Sequence, residues 1–228
     1  MQGSRYVQAK QKALDIMSNI YDPLHDDNHV KEVEQTALNI YESLIKEDKK
    51  RVDLESVKLA CLYHDTSRKI IKTNLFLQPF LDGYYSGKIA YNCLLEAGYS
   101  KKQALKVKEI INVHETMLGF IKKNPDINGH IFSDADFVEG YSAKRLNRAL
   151  KRFERGEFSK LLLNFYVIAL VLIHRKKLLP FYFKKTKEIY KTYLKELTLY
   201  IHENNHYFKK MLFKPVYKMF ISIDFLMK

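Results

Sequence analysis

The stretch LYHDTSRK, residues 62–69, sets a histidine directly before an aspartate at the end of an apolar run. Just upstream, RVDLESVKLACLYHD offers Asp53 as an N-cap, and Val57, Ala60, Cys61 and His64 recur at helical spacing along one face. The spacing predicts a helix whose buried face ends in His64. Asp65 then lies one step, about 100°, round that end. A polar side chain on a face that otherwise takes apolar ones is either hydrogen-bonded in the core or ligating something. The same dipeptide stands earlier, at His25-Asp26 in LHDDNHVKEV. The dipeptide alone therefore decides nothing, and its surroundings have to.

Those surroundings read as helix almost everywhere. After Asn28, apolar residues fall at Val30, Val33, Ala37, Ile40, Tyr41, Leu44 and Ile45. SGKIAYNCLLEAG starts at a Ser86 cap and stops at Gly98; SKKQALKVKEIINVHE carries Ala104, Val107, Ile111 and His114 on one face. SDADFVEGYSAKRLNRALKRFERG reads as one helix ending at Gly156 and disturbed at Gly140. Two more follow, from Phe158 to about Lys177 and from about Phe181 to His202, parted by Pro180. No segment alternates long enough to make a strand. The expectation is an all-α protein with a single globular helical domain over residues 1–205. Residues 206–228, basic, apolar and broken at Pro215, form an appendage packing on that body.

Composition narrows the function classes. Eight Gly and five Pro in 228 residues favour long helices over tight turns. Two cysteines, Cys61 and Cys93, make no disulfide framework and suit a reducing cytosol, and the N-terminus has no apolar stretch resembling a secretory signal; the expected location is cytoplasmic. The longest apolar run, Leu161 to His174, is shorter than the roughly 17–25 residues a spanning helix needs. The net charge of +13 is uneven: residues 1–150 carry 22 Lys and Arg against 20 Asp and Glu, whereas residues 151–228 carry 17 against 6. Such a basic third is either a solvated helical surface or a face for phosphate, nucleic acid or anionic lipid.

The remaining polar candidates cluster with the opening stretch. LHDDNHVKEV supplies His25, Asp26, Asp27 and His29 at a helix start, where Asp27 or Asn28 could serve simply as cap. SDADFVEG supplies Asp134 and Asp136, either as an N-cap with an acidic first turn or as inward-pointing carboxylates. Imidazole with carboxylate is a ligand set for Mn, Fe, Co, Ni or Zn rather than Mg alone. Such an ion lowers the pKa of bound water and polarises a phosphoryl oxygen.

In order along the chain, His29, then His64-Asp65, then Asp136 resembles the H…HD…D signature of the HD-domain metal-dependent phosphohydrolase superfamily. HDDNHVKEV is similar to its HDxxHxxxV opening, YHDTSRK to its HDxxR/K turn, INVHE to an isoleucine-then-histidine element, and SDADFVEG to the DAD element with the last ligand. The resemblance covers about residues 10–200. It implies a helical HD-type fold and one divalent transition metal ion held by His29, His64, Asp65 and Asp136. It implies that Asp65 also orients the attacking water, that Arg68 and Lys69 meet the substrate phosphate, and that His114 contacts substrate or protonates the leaving oxygen. His25 falls at the pocket rim or behind the ligands. The substrate implied is a phosphorylated small molecule or nucleotide. Two-metal relatives, including di-iron oxygenases, use extra histidines between the HD pair and the last Asp; this chain has only His114 and His130 there, which favours one metal.

A second reading is a binding module, in which an HD-type body keeps a metal for structure or sensing while the basic C-terminal third holds nucleic acid or an anionic membrane surface. Tyr and Lys interleave in FYFKKTKEIYKTYLKELTLYIHE, which suits stacking and phosphate contact. Tyr182, Tyr190, Tyr193 and Tyr200 also fit the spacing of a packed helix face.

Overall fold

The computed structural model describes residues 2–20, 25–69, 78–113, 126–157, 159–175 and 181–222. Every regular element among them is helical, and there is no strand. The chain divides into two compact units, Met1–Asp136 and Phe137–Lys228.

The first unit is built around α4, Leu54–Tyr63, which carries the opening stretch. Asp53 caps it as expected, its side chain accepting from the Ser56 N–H at 3.1 Å. Seven of its ten residues are buried, so α4 is a central helix rather than an amphipathic surface one. Around it pack α1 (Gln2–Ser18), α2 (Asp27–Glu42) and α6 (Lys101–Val113); α5 (Gln78–Glu96) lies on α6 and on the short 3-10 turn Thr66–Lys69 that follows α4. Short α3, Lys46–Lys49, joins α2 to α4. Helix α1 presents Ala9, Ala13 and Met17, all fully buried, at four-residue spacing. The buried Tyr63 hydroxyl ties α4 to it by donating to the Ala9 carbonyl at 2.7 Å. The buried Glu34 carboxylate of α2 takes Tyr6 and Lys10 from α1 and Lys58 from α4.

Helices α5 and α6 approach closely at Gly87, where a Cβ would come within 2.6 Å of the Asn112 side chain and 3.3 Å of the Lys108 carbonyl. With its amide turned to suit its neighbours, Asn112 donates to the Lys108 and Gly83 carbonyls at 3.2 and 3.0 Å.

The second unit comprises α8 (Ala143–Glu154), α9 (Lys160–Arg175), α10 (Lys184–Glu203), α11 (Asn205–Met211) and α12 (Lys214–Ile221). Its core includes Tyr141, Leu170 and Leu194, with Tyr166, Tyr190 and Tyr193 packed on them. Tyr141 and Tyr190 meet edge to face at 4.9 Å. Tyr200 donates to Asn147 at 3.0 Å, while Tyr182 is exposed. The packed-face reading of the tyrosines therefore holds for three of the four. No described helix is long and apolar enough to cross a membrane.

Several local expectations change. The helix expected from Ser133 to Gly156 is two: α7 (Ile127–Glu139) begins earlier, and α8 restarts at Ser142, whose hydroxyl accepts from the Arg145 N–H at 3.1 Å. Ser86 is inside α5 rather than at its start. The tail is broken just ahead of Pro215: α11 ends at Met211, Leu212 and Phe213 are extended, and Pro215 sits in the first turn of α12, where its missing N–H has no intrahelical role. The segment 206–228 thus supplies most of α11 and all of α12, and α12 packs on α9.

Candidate metal centre

Four side chains of the first unit meet at the end of α4. His64 follows the last turn of α4, and Asp65 precedes the 3-10 turn. His29 comes from the first turn of α2, which Asp26 caps by accepting the His29 N–H at 2.9 Å. Asp136 comes from α7. The two histidine Nε2 atoms are 3.2 Å apart. His29 Nε2 lies 3.3 Å from Asp65 Oδ2 and 3.2 Å from Asp136 Oδ1; for His64 Nε2 the distances are 3.1 and 3.3 Å. His29, His64 and Asp65 are buried, and Asp136 is nearly so.

Polarity decides what this cluster can hold. His64 Nδ1 sits 2.9 Å from the Cys61 carbonyl, which can only accept, so Nδ1 carries the hydrogen. In the neutral ring Nε2 is then a bare lone pair. It faces a second imidazole nitrogen and two carboxylate oxygens. Asp65 Oδ2 is buried and takes no aligned hydrogen bond. Lone pairs and carboxylate oxygens brought this close in a buried place call for a proton or a metal cation between them. Burial works against a charged His64, but the Asp65 and Asp136 carboxylates outweigh it and hold its pKa well above the usual histidine value. Burial likewise pushes the Asp65 carboxyl up, but His64, His25 and Arg68 outweigh it and hold it well below the usual carboxylate range. A metal ion meets the same demand. Ligand atoms about 2.0–2.2 Å from one ion stand about 2.8–3.6 Å from each other, from octahedral to tetrahedral geometry, and the spacings found, 3.1–3.3 Å, fall within that range. His29, His64 and Asp136 form a group that could hold an ion, and Asp65 Oδ2 lies 3.3 and 3.1 Å from the two histidine nitrogens.

The sequence-derived candidates separate cleanly. Asp136, not Asp134, reaches the histidines; residues two apart on a helix point about 200° away from each other. Neither caps a helix, because α7 begins six residues before Ser133. Asp26 is the cap of α2, in place of Asp27 or Asn28. His25 is half-buried, its ring edge-on to His29 at 5.5 Å. Arg68 turns back to Asp65, with Nε 3.1 Å from Oδ1, and Lys69 is exposed on the same turn. His114 lies outside the described residues. His130 is in α7, and burial lowers its pKa.

One group escaped sequence reasoning. Asp82 of α5 is buried beside the centre, with Oδ2 2.9 Å from Arg68 Nη2 as an ion pair rather than an aligned hydrogen bond. Its Oδ1 accepts from the Ser67 hydroxyl at 2.7 Å, and the Ser67 N–H donates to the Ser86 hydroxyl at 2.9 Å. The available signal was a polar pair, Asp82 and Ser86, on the α5 face that also buries Ala90.

No family profile matches the sequence, and no curated protein matches it. Solved structures do. A predicted HD-superfamily hydrolase from an uncultured Thermotogales bacterium is 16% identical and superposes with a TM-score of 0.52, over 87% of this chain and 92% of that one. Bacillus subtilis YpgQ, solved in complex with ADP, is 18% identical with a TM-score of 0.56 and the same two coverages. At such identities the likeness establishes a shared fold.

Proposed function

We propose that this chain, whose fold is that of the HD superfamily, is a metal-dependent phosphohydrolase that cleaves a phosphoester or phosphoanhydride of a small metabolite or nucleotide. A metal-dependent hydrolase is the coarser statement supported by the neighbouring folds and the His–Asp cluster. The observation that carries the reading is the convergence of two imidazole nitrogens, 3.2 Å apart, each within 3.1–3.3 Å of the same two carboxylate oxygens. His29, His64, Asp65 and Asp136 would hold one divalent ion, from Mn, Fe, Co, Ni or Zn. When bound, such an ion supplies a water of lowered pKa and a Lewis acid for the phosphoryl oxygen.

The chain's own residues do the rest. The Cys61 carbonyl fixes the His64 tautomer, so Nε2 keeps its lone pair. Asp65, with its carboxyl well below the usual range, stays ionised and accepts the hydrogen of the attacking water, orienting it. Arg68 places a fixed positive charge beside the ligands, suited to phosphoryl oxygens; exposed Lys69 adds a mobile one. His114 contacts substrate or protonates the leaving oxygen, and His25 lines the rim. Because YpgQ was solved with ADP, nucleoside diphosphates belong among the first compounds tested.

The test is a phosphatase screen of metal-stripped protein reloaded with each metal, against phosphomonoesters and nucleotides. Hydrolysis that needs a metal and disappears in Asp65→Ala is expected. No hydrolysis with any metal, or equal hydrolysis by Asp65→Ala, would sink the reading.

A second reading, polyanion binding by the basic region, is favoured by the charge partition: the whole net charge of +13 lies in residues 137–228. Its test is retention of the intact chain on nucleic acid or anionic vesicles as salt is raised. A loss of binding that steepens with salt supports it, and salt-independent behaviour dismisses it.

A further inference from the structure

We propose that Asp82 is a positioning residue that, through Arg68, fixes the metal-binding carboxylate of Asp65; this rests on the metal-centre reading above. A carboxylate at the end of a helix can turn about its last bond. It can offer one oxygen to an ion, offer both, or swing away. At Asp65 that freedom is removed from one side. Oδ1 accepts from Arg68 Nε at 3.1 Å, which leaves Oδ2 turned to the two histidines at 3.1 and 3.3 Å. Arg68 holds Asp65 only if it is itself held, since an arginine has four rotatable side-chain bonds and much entropy to lose.

Asp82 supplies the hold. Its Oδ2 is 2.9 Å from Arg68 Nη2, so the guanidinium spans two carboxylates. Asp82 is fixed in turn, because Oδ1 accepts from the buried Ser67 hydroxyl at 2.7 Å. Ser67 is anchored by its own N–H to the buried Ser86 hydroxyl at 2.9 Å. Asp82 and Ser86 are one turn apart on α5, so a single helix face grips the turn Thr66–Lys69 at two points.

The chain of contacts acts on charge as well as on direction. A guanidinium next to the ligands repels a divalent cation. Asp65 divides its charge between the guanidinium and the ion, so the Asp82 carboxylate supplies the rest of the compensation. Neutralising Asp82 thus weakens metal binding twice over. It loosens Arg68, and it leaves the Arg68 charge less compensated. Removing the Ser67 hydroxyl does only the first. The two substitutions separate the contributions.

The experiment is calorimetric titration of Mn²⁺ into metal-stripped full-length protein, with the visible absorption of Co²⁺ as a reporter of ligand geometry. Asp82→Asn keeps shape and removes charge; it is expected to weaken Mn²⁺ by about 10- to 100-fold and to change the Co²⁺ spectrum at saturation. Ser67→Ala is expected to weaken it by about threefold, and it carries the test if Asp82→Asn does not fold. Because Asp82 acts through Arg68, the double variant Asp82→Asn/Arg68→Gln is expected to bind no more weakly than Arg68→Gln alone. Affinity within twofold of the wild type for both Asp82→Asn and Ser67→Ala, or fully additive losses in the double variant, overturns the role of Asp82. Wild-type affinity in His64→Ala overturns the metal centre itself, and the positioning role with it.

Discussion

The two units differ in how they treat charge. Residues 1–136 hold 19 Lys and Arg and 19 Asp and Glu, and are neutral overall; residues 137–228 hold 20 against 7. The neutral unit buries its charged groups in reciprocal sets, as in His29, His64, Asp65 and Asp136, or Asp65, Arg68 and Asp82. Among its described residues, the basic unit has one fully buried carboxylate, Glu139, and sets two arginines against it. Glu139 takes Arg145 at 2.7 Å and Arg148 at 3.1 Å. Among the described residues of the first unit, two histidines and two aspartates converge at the end of α4, and that convergence is the candidate site. Excess in the second unit produces a field rather than a site.

The contrast can be broken at its strongest point first. His64→Ala or Asp65→Ala is expected to lose the metal, by 100-fold or more in affinity as a rough figure, because each leaves the remaining buried acceptors incomplete. Asp26→Ala, one residue from His25 but only a helix cap, is expected to retain it. Elemental content after purification with added metal distinguishes the two, and equal loss in all three variants would refute the assignment of ligands.

The next effect belongs to the second unit. Arg145→Ala removes the nearer of two partners of the buried Glu139 and is expected to cost about 2 kcal/mol in stability. It should leave metal content per folded chain unchanged. Urea unfolding measures the first and elemental analysis the second. A loss of metal would show that the division between a unit with a site and a unit with a field is too sharp.

A smaller effect concerns the cap that begins α4. Asp53 accepts from the Ser56 N–H and pairs with Lys106 at 3.1 Å. Burial pushes its pKa up, but these partners outweigh it and lower the value. A carboxyl depressed in the folded state contributes stability above its unfolded pKa, near 4, and loses it as pH falls through the lower folded value. Asp53→Ala should cost about 1 kcal/mol at neutral pH, and Asp53→Asn should retain the cap while removing this part of the acid sensitivity. Thermal midpoints between pH 2 and 7 test both. The smallest expectation is a null result. Cys61 and Cys93 are buried, and burial pushes both thiols up, so neither should react with a thiol reagent at pH 7 until the chain unfolds.

The fold class was legible from strong periodic patterns, and the four ligand candidates from their resemblance to the H…HD…D signature in order along the chain. His64 ends the buried face of α4, and His29 begins the apolar run of α2. The limits were equally physical. Asp82 carries no local mark of its role, since its partners Ser67 and Arg68 are 15 and 14 residues away and meet it only through the packing of α5 on the turn. The start of α7 was placed too late because Ser133 and Asp134 have the chemistry of caps, yet tertiary burial draws Ile131 and Phe132 into the helix before them. The N-cap of α2 fell on Asp26 rather than its neighbours because caps compete within one or two residues, and sequence does not rank adjacent aspartates.

Gly87 gives the centre a mechanical input from outside it. The seat of α5 on α6 is set by the missing side chain at that position, with Asn112 filling the space. Asp82 and Ser86 ride on the same helix within a turn and a half of it, so their heights above the Thr66–Lys69 turn are not independent. A methyl group at Gly87 would displace the Asn112 side chain and press on the Lys108 backbone carbonyl at 3.3 Å, and any shift of α5 that relieved this would carry both grips with it. The gauge that sets the tension on the HD turn is therefore a helix–helix spacing, read at a residue with no chemistry of its own.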